Sequence, residues 1–346
     1  EFNVMIAGAH GGVSVGPDGA THQALEELFQ MCGLPNMNVE VPCDAVETQR
    51  ATEHLLFKVK GPKYVRFARE ATPVVTDEKT SYKWGKANVI RFRGAKPSFK
   101  DAFEHELASR YRNENEDIAI IACGPSVPEA MRAAWILKKE YGIETRVLNV
   151  HTVKPLDETA IVKAAKDTGA VVTAEEHQIG GFGNRVAAVI SGSKKTYGRP
   201  VIVGMVGVKD RFGESGAPWE LVKEFEVSGE HIAAEAKRLY DLKSEREAKV
   251  GAKAPARKAP ASKKPAGKKA AKKKPAKRKT AQKAARKAAK KKPAKRKAGQ
   301  KAARKTQRKK TAKKKVDQKA ARKTQRKKPA KRKTAQKAAR KTQRKK

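Results

Sequence analysis

Of the 346 residues, 80 are Lys or Arg and 36 are Asp or Glu, for a net charge of +44. The excess is local: residues 251–346 hold 46 of the basic residues and one acid, Asp317, while residues 1–250 carry 34 basic and 35 acidic side chains. No run of 18 apolar residues is present, which excludes a membrane-spanning helix. The three cysteines, Cys32, Cys43 and Cys123, form no CxxC pair or zinc pattern and suit a reducing, cytoplasmic setting.

An apolar run over residues 3–8 ends at Gly8 and predicts a buried strand. The chain opens on Glu1 rather than Met, so the natural N-terminus is expected upstream. A glycine-rich loop follows from His10 to Gly19. Thr21 is placed to cap a helix running to about Gly33, with Leu25, Leu28, Phe29 and Cys32 inward. A second strand is predicted over residues 38–41. Asp44 then caps a helix reaching about Val59, with Val46, Ala51, Leu55 and Leu56 inward, and a third strand covers residues 63–68. This β-α-β-α-β order implies parallel strands with helical crossovers.

Residues 70–115 are less regular. Tyr82, Trp84 and residues 89–92 suggest a short hairpin, and residues 99–111 a helix. From Asp117 a second alternating series begins. Strands are expected at 118–122, 145–150, 170–174 and 201–206. Helices are expected at 127–141, 156–167, 182–190, 218–225 and 229–242. The fold class is therefore α/β: two mostly parallel α/β units followed by a disordered or conditionally helical basic tail. The boundaries read as 1–75, a connector at 76–116, 117–243, and the tail at 244–346.

The stretch from His10 to Glu26 is the most informative. It lies just past the carboxyl end of a predicted parallel strand, where open α/β sheets place their ligands. It joins His10, Asp18 and His22 through Gly11, Gly12, Gly16 and Gly19, and Arg69 ends the third strand at the same rim. Taken alone, these residues also suit a plain glycine-rich turn. His54, His105, His151 and His231 read as surface or satisfied histidines, and His177 as structural. Residues 210–216 read as a polar turn touching a partner subunit.

Residues 3–69 resemble the carboxyl part of the transketolase pyrimidine-binding domain. His10, Gly16, Pro17-Asp18-Gly19, Thr21-His22-Gln23, Glu26, Pro42-Cys43-Asp44, Glu47-Thr48 and Arg69 carry the likeness. Residues 117–243 resemble the family's C-terminal domain through Gly124-Pro125-Ser126, Gly180-Gly181-Phe182-Gly183 and the run from Asp210 to Gly216. The layout looks most like the carboxyl subunit of split transketolases; deoxyxylulose-phosphate synthases share the scaffold. The resemblance implies thiamine diphosphate and Mg²⁺ as cofactors, transferring a two-carbon ketol unit between sugar phosphates. It implies that His22 lies near the aminopyrimidine and helps proton movement. Asp18 would bind the donor's C2 hydroxyl, and His10 and Arg69 the sugar phosphate. The family's Gly-Asp-Gly diphosphate motif does not occur here. The resemblance therefore implies that a missing segment or partner chain holds most of the cofactor, that this chain is not active alone, and that the complete enzyme is a dimer or other homo-oligomer.

The tail is repetitive. Lys-Lys-Pro-Ala-Lys-Arg-Lys recurs at 273–279, 291–297 and 327–333, a spacing built on 18 residues. Eighteen residues make five helical turns, so each copy would present the same face if helical. Such a segment resembles linker-histone tails and is expected to bind DNA or RNA by counterion release, over roughly 80 Å of duplex. It has no aromatic platform for bases and no apolar face for membranes. The alternative function is a nucleoid-associated, nucleic-acid-binding protein whose α/β part is an inactive scaffold.

Overall fold

The computed structural model describes residues 2–253 except Tyr197 and Arg199; the tail expectations beyond Lys253 lie outside the described residues, while residues 244–253, expected as tail, are helical. In chain order the first elements are β1 (Met5–Gly8), α1 (Glu27–Gly33), β2 (Asn38–Glu40), α2 (Ala45–Phe57) and β3 (Lys63–Arg66). Then come β4 (Asn88–Phe92), β5 (Phe103–Leu107), β6 (Ile118–Ala122), α3 (Ser126–Tyr141), β7 (Thr145–Asn149) and β8 (Thr152–Lys154). The last are α4 (Glu158–Thr168), β9 (Ala170–Gln178), α5 (Gly183–Gly192), β10 (Ile202–Val208), α6 (Pro218–Glu224) and α7 (Gly229–Lys253). No described helix is long and apolar enough to cross a membrane.

Two sheets result. The first has the order β1-β3-β2-β8, with β1, β3 and β2 parallel and β8 antiparallel to β2. The second has the order β10-β9-β6-β7-β4-β5, parallel through β7, with β4 and β5 antiparallel at one edge. The expected mostly parallel α/β architecture is what forms. Helices cover both faces of the second sheet. One core layer joins Ile120 and Val172 to Met131, Leu221 and Leu239 of α3, α6 and α7. The other joins Ile121 and Val171 to Ile161 and Val186 of α4 and α5, and takes in Val39 and Tyr64 of the first sheet and Val41 just past β2. The two sheets thus share apolar packing.

Local chemistry explains the elements. The Asp44 carboxylate accepts the Glu47 N–H at 2.9 Å and so caps α2; it also accepts the Val75 and Thr76 N–H groups at 2.8 and 2.6 Å. Glu40 draws β8 onto β2: the Thr152 and Tyr82 hydroxyls donate to it at 2.9 and 2.8 Å, and His151 lies 3.3 Å away. His151 is accordingly buried and partnered. Burial works against its charge, but the Glu47 and Glu40 carboxylates outweigh burial and hold its pKa up.

Four expectations need correction. The strand at 3–8 is not buried: β1 is a sheet edge, with Ile6 43% exposed. Only Met5 turns toward the small core beneath α2, and no described element covers the opposite face. The helix expected from Thr21 begins at Glu27, because residues 19–21 close a tighter 3-10 turn; Phe29 then points to solvent at 65% exposure. Leu56 of α2 is likewise exposed. In place of the helix expected at 99–111 there are a 3-10 turn over Lys100–Ala102 and then β5, and Tyr82 and Trp84 lie outside the hairpin. Its helix-favouring Ala, Glu and Leu are overruled by cross-strand pairing: Phe103 opposes Phe92 with ring centroids 5.4 Å apart.

His105, on β5, has neither ring nitrogen paired. Burial lowers its pKa to about 4 against the pull of Asp77 and Asp44. A histidine neutral in the fold but charged below about pH 6.5 when unfolded stabilises the fold above that pH; the contribution is lost as pH falls toward 4. Urea midpoints measured from pH 7 to pH 4.5 should therefore fall more steeply for the native chain than for His105→Phe. Parallel slopes would contradict this account.

Candidate active site at the carboxyl edge of the first sheet

The loop between β1 and α1 is closed on itself. The Ala24 N–H donates to the His10 carbonyl at 3.0 Å, and the Gly12 N–H to the Ala24 carbonyl at 2.8 Å. His10 sits at φ 60°, in the left-handed region, where the chain turns off the strand. This closure brings His10 and His22 together, ring centroids 6.4 Å apart. The 3-10 turn over Gly19–Thr21 sets His22, whose Nδ1 lies 2.9 Å from the Thr21 hydroxyl. The same hydroxyl donates to the Asp18 carbonyl at 3.3 Å. Arg69, just past β3, places Nε 3.1 Å from Asp18 Oδ2. Its Nη1 donates to the Val15 carbonyl and to Glu70 Oε1, both at 2.9 Å. The four residues singled out in the sequence thus form two adjacent pairs on one loop and the neighbouring strand end.

The rim is accessible, but its underside is buried. Arg66 of β3, 1% exposed, spans Glu27 of α1 at 2.8 Å and Glu176 of β9 at 3.2 Å. Burial opposes its charge, but Glu176 and Glu27 outweigh burial and raise its pKa. The other Glu176 oxygen accepts the Ser14 N–H at 3.3 Å, so a residue of the second sheet grips the loop backbone. Gly12, at φ 87°, permits this: a Cβ there would lie 2.3 Å from the Glu176 carboxyl carbon.

A second clamp comes from residues 213–218. Buried Gln23 donates from Nε2 to the Val13 and Glu214 carbonyls, both at 3.0 Å. Gly19, at φ 70°, meets Ser215, whose Oγ would lie 2.3 Å from any Cβ. The run from Asp210 to Gly216 therefore packs on this chain's own loop, a role its sequence did not disclose. Arg66, Glu176 and Gln23 were also missed as supports of the site. Charged residues at strand ends ordinarily read as exposed, and only the paired glycines at 11 and 12 signalled a close approach. His177 contacts Glu175 at 2.7 Å, and Glu175 accepts the Phe182 and Gly183 N–H groups at 2.9 and 2.8 Å; this is a structural arrangement at the start of α5.

Chemically, the rim offers a guanidinium fork, a carboxylate and two imidazoles on a fixed backbone. In general, a guanidinium can pair with a phosphate or carboxylate, and carboxylates and imidazoles can hydrogen-bond hydroxyl groups. Comparison with known proteins gives this site a family. Residues 1–74 match the transketolase pyrimidine-binding domain and residues 108–232 the transketolase C-terminal domain. A putative transketolase C-terminal section of Methanocaldococcus jannaschii is 37% identical over 238 residues, covering 67% of this chain and 65% of that one. An apulose-4-phosphate transketolase subunit of Phocaeicola vulgatus is 34% identical, covering 68% of this chain and 67% of that one. A solved split-gene transketolase, described as an inactive β4 tetramer, has a TM-score of 0.55 and 33% identity over 69% of this chain and 67% of that one. The chain belongs to the transketolase family. It spans about two thirds of these subunit relatives and 33% of the human transketolase.

Gln23→Ala should release the loop from its second clamp. Hydrogen exchange at residues 10–24 and 213–216 is expected to quicken roughly tenfold, while β6 amides stay unchanged. Unaltered exchange at both segments would show that the clamp is not what holds the loop.

Proposed function

We propose that this chain is the carboxyl part of a transketolase that moves a two-carbon ketol unit from a ketose phosphate to an aldose phosphate. It does so with a partner chain or segment that supplies the diphosphate-binding half. The observation that carries this reading is the pairing of His10 with His22 and of Asp18 with Arg69 where the clamped loop meets the end of β3. Relatives named as transketolase subunits support the need for a partner, as does a β-only tetramer described as inactive.

In this reading Arg69 and His10 take the sugar phosphate, the planar guanidinium matching two of its oxygens. Asp18 accepts a hydrogen bond from a sugar hydroxyl and fixes the donor's orientation. His22, steadied through Nδ1 by Thr21, moves a proton to or from the reacting sugar oxygen at Nε2. The exposed His22 imidazole fits the polar edge of an aminopyrimidine. Thiamine diphosphate, when bound, supplies the electron sink for carbon–carbon cleavage. The metal is a different matter: among the described residues no group of three or more His, Cys, Asp or Glu side chains gathers to hold an ion. Because the Gly-Asp-Gly motif does not occur in the sequence, this reading gives Mg²⁺ and the diphosphate mainly to the partner chain or segment, and no step is derived through them. With that half added, Asp18→Ala should lower kcat/KM for hydroxylated ketose donors by roughly a hundredfold or more, while cofactor affinity changes little. Equal losses in both would contradict the assignment of Asp18.

A second property is inferred from composition alone. The 46 Lys and Arg residues against one acid in residues 251–346 suit non-specific binding of DNA or RNA. Nothing in the fold favours the alternative of an inactive scaffold, so the tail is treated as an addition to the enzyme component. Filter binding to duplex DNA should weaken steeply between about 50 and 200 mM salt, and disappear on deletion of residues 251–346. Salt-independent binding, or binding that survives the deletion, would reject this reading.

A further inference from the structure

The chain crosses from the second sheet to the first at His151, between the end of β7 and the start of β8. Its carbonyl accepts the Val41 N–H at 2.7 Å, and its ring is wholly buried. Two carboxylates are buried with it. Glu40 of β2 lies 3.3 Å from His151 Nδ1, and the Thr152 hydroxyl is 2.9 Å from both groups. Glu47, in the first turn of α2, accepts the Cys43 N–H and the Asn149 amide, both at 2.8 Å. The Tyr82 ring stacks on His151, centroids 4.7 Å apart, while its hydroxyl donates to Glu40. Lys86 turns its amino group to Asp157 instead, and His54 packs on Tyr82 and Trp84. Among the described residues, no Lys or Arg forms an ion pair with Glu40 or Glu47, which leaves the imidazole to balance them.

We propose that His151 and Glu40 form a protonation-controlled latch between the two sheets, closed while the imidazole is charged and slackened when it is neutral. Nε2 makes no hydrogen bond, so a proton lost there leaves the Nδ1 contacts intact and removes only the charge. Two buried carboxylates then face each other without a cation, and the three-residue pairing of β8 with β2 carries the cost. Burial opposes the charged ring, but Glu47 and Glu40 overcome burial and raise the folded pKa above the ordinary value of 6.5. The contribution is therefore complete below that value and lost as pH rises through the folded pKa. Burial also raises the Tyr82 phenol and the Cys43 thiol, so neither ionises in the window where the latch opens. The Val41 carbonyl accepts the Gly124 N–H at 3.1 Å, so slackening reaches the packing between the two portions of the chain.

The test is hydrogen exchange on the full chain between about pH 6 and pH 9, read as protection factors so that the intrinsic pH dependence cancels. Protection at residues 38–41 and 151–154 is expected to fall roughly tenfold for each unit by which the fold raises the histidine, while β6 stays constant. His151→Asn keeps a donor near the Nδ1 position but no charge; its protection should be low at the acid end and flat across the range. Glu40→Gln, which keeps size and an acceptor oxygen, is the second variant and should shrink the pH dependence. A merely structural role would lower protection in both variants without altering its slope with pH. The window lies above that of His105, so the two histidines separate. If the native chain shows no pH dependence at these segments, or if the native slope persists in either variant, the latch is overturned.

Discussion

Among the described residues, the buried cation Arg66 links the first sheet to the second. Arg66 lies between Glu27 on a helix of the first sheet and Glu176 on a central strand of the second, and solvent reaches almost none of it. A guanidinium in that position is tolerable only if its charge is matched, and here two carboxylates match it. Glu176 in turn spends its second oxygen on the Ser14 N–H. The geometry of the exposed rim is therefore fixed from below, by charges that water does not screen.

That arrangement explains how a glycine-rich loop holds polar side chains in register. Its backbone groups are paired within the loop and with β9, and its Gln23 side chain with the segment before α6. Its glycines serve close approach as much as chain reversal: Gly12 admits Glu176 and Gly19 admits Ser215. With the backbone occupied in this way, His10, Asp18, His22 and Arg69 stay accessible and their contacts remain exchangeable. A rigid base under adjustable polar groups suits the sugar-phosphate recognition proposed for this rim.

Much of this was legible in the sequence, and the failures have physical reasons. Alternating apolar runs and caps gave the parallel units, and Asp44 caps α2 as its position before Ala45 suggested. The residues of the rim were named from motif and position. Their pairing was not, because it depends on loop closure between His10 and Ala24, which no spacing rule contains. β5 has the composition of a helix and becomes a strand only because β4 offers it an edge. β8 is three residues long and crosses to the other sheet directly after β7, too short to leave a periodic trace. Arg66 was read as part of a strand, and nothing local in Tyr64-Val65-Arg66 announces that its charge is neutralised by residues 39 and 110 positions away.

The grip of Glu176 on Ser14, made possible by the bare backbone at Gly12, also bears on inheritance. The pyrimidine-binding and C-terminal portions look like separable modules in the linear chain. Their complementary parts, a notch in one and a carboxylate in the other, are shaped for each other. A chimera joining this front portion to a cousin's rear portion would keep its rim geometry only if the cousin presented an acid at the place of Glu176 and a small residue faced it. Recombination between lineages would thus be filtered at a contact far from the junction, and the two portions would tend to descend together.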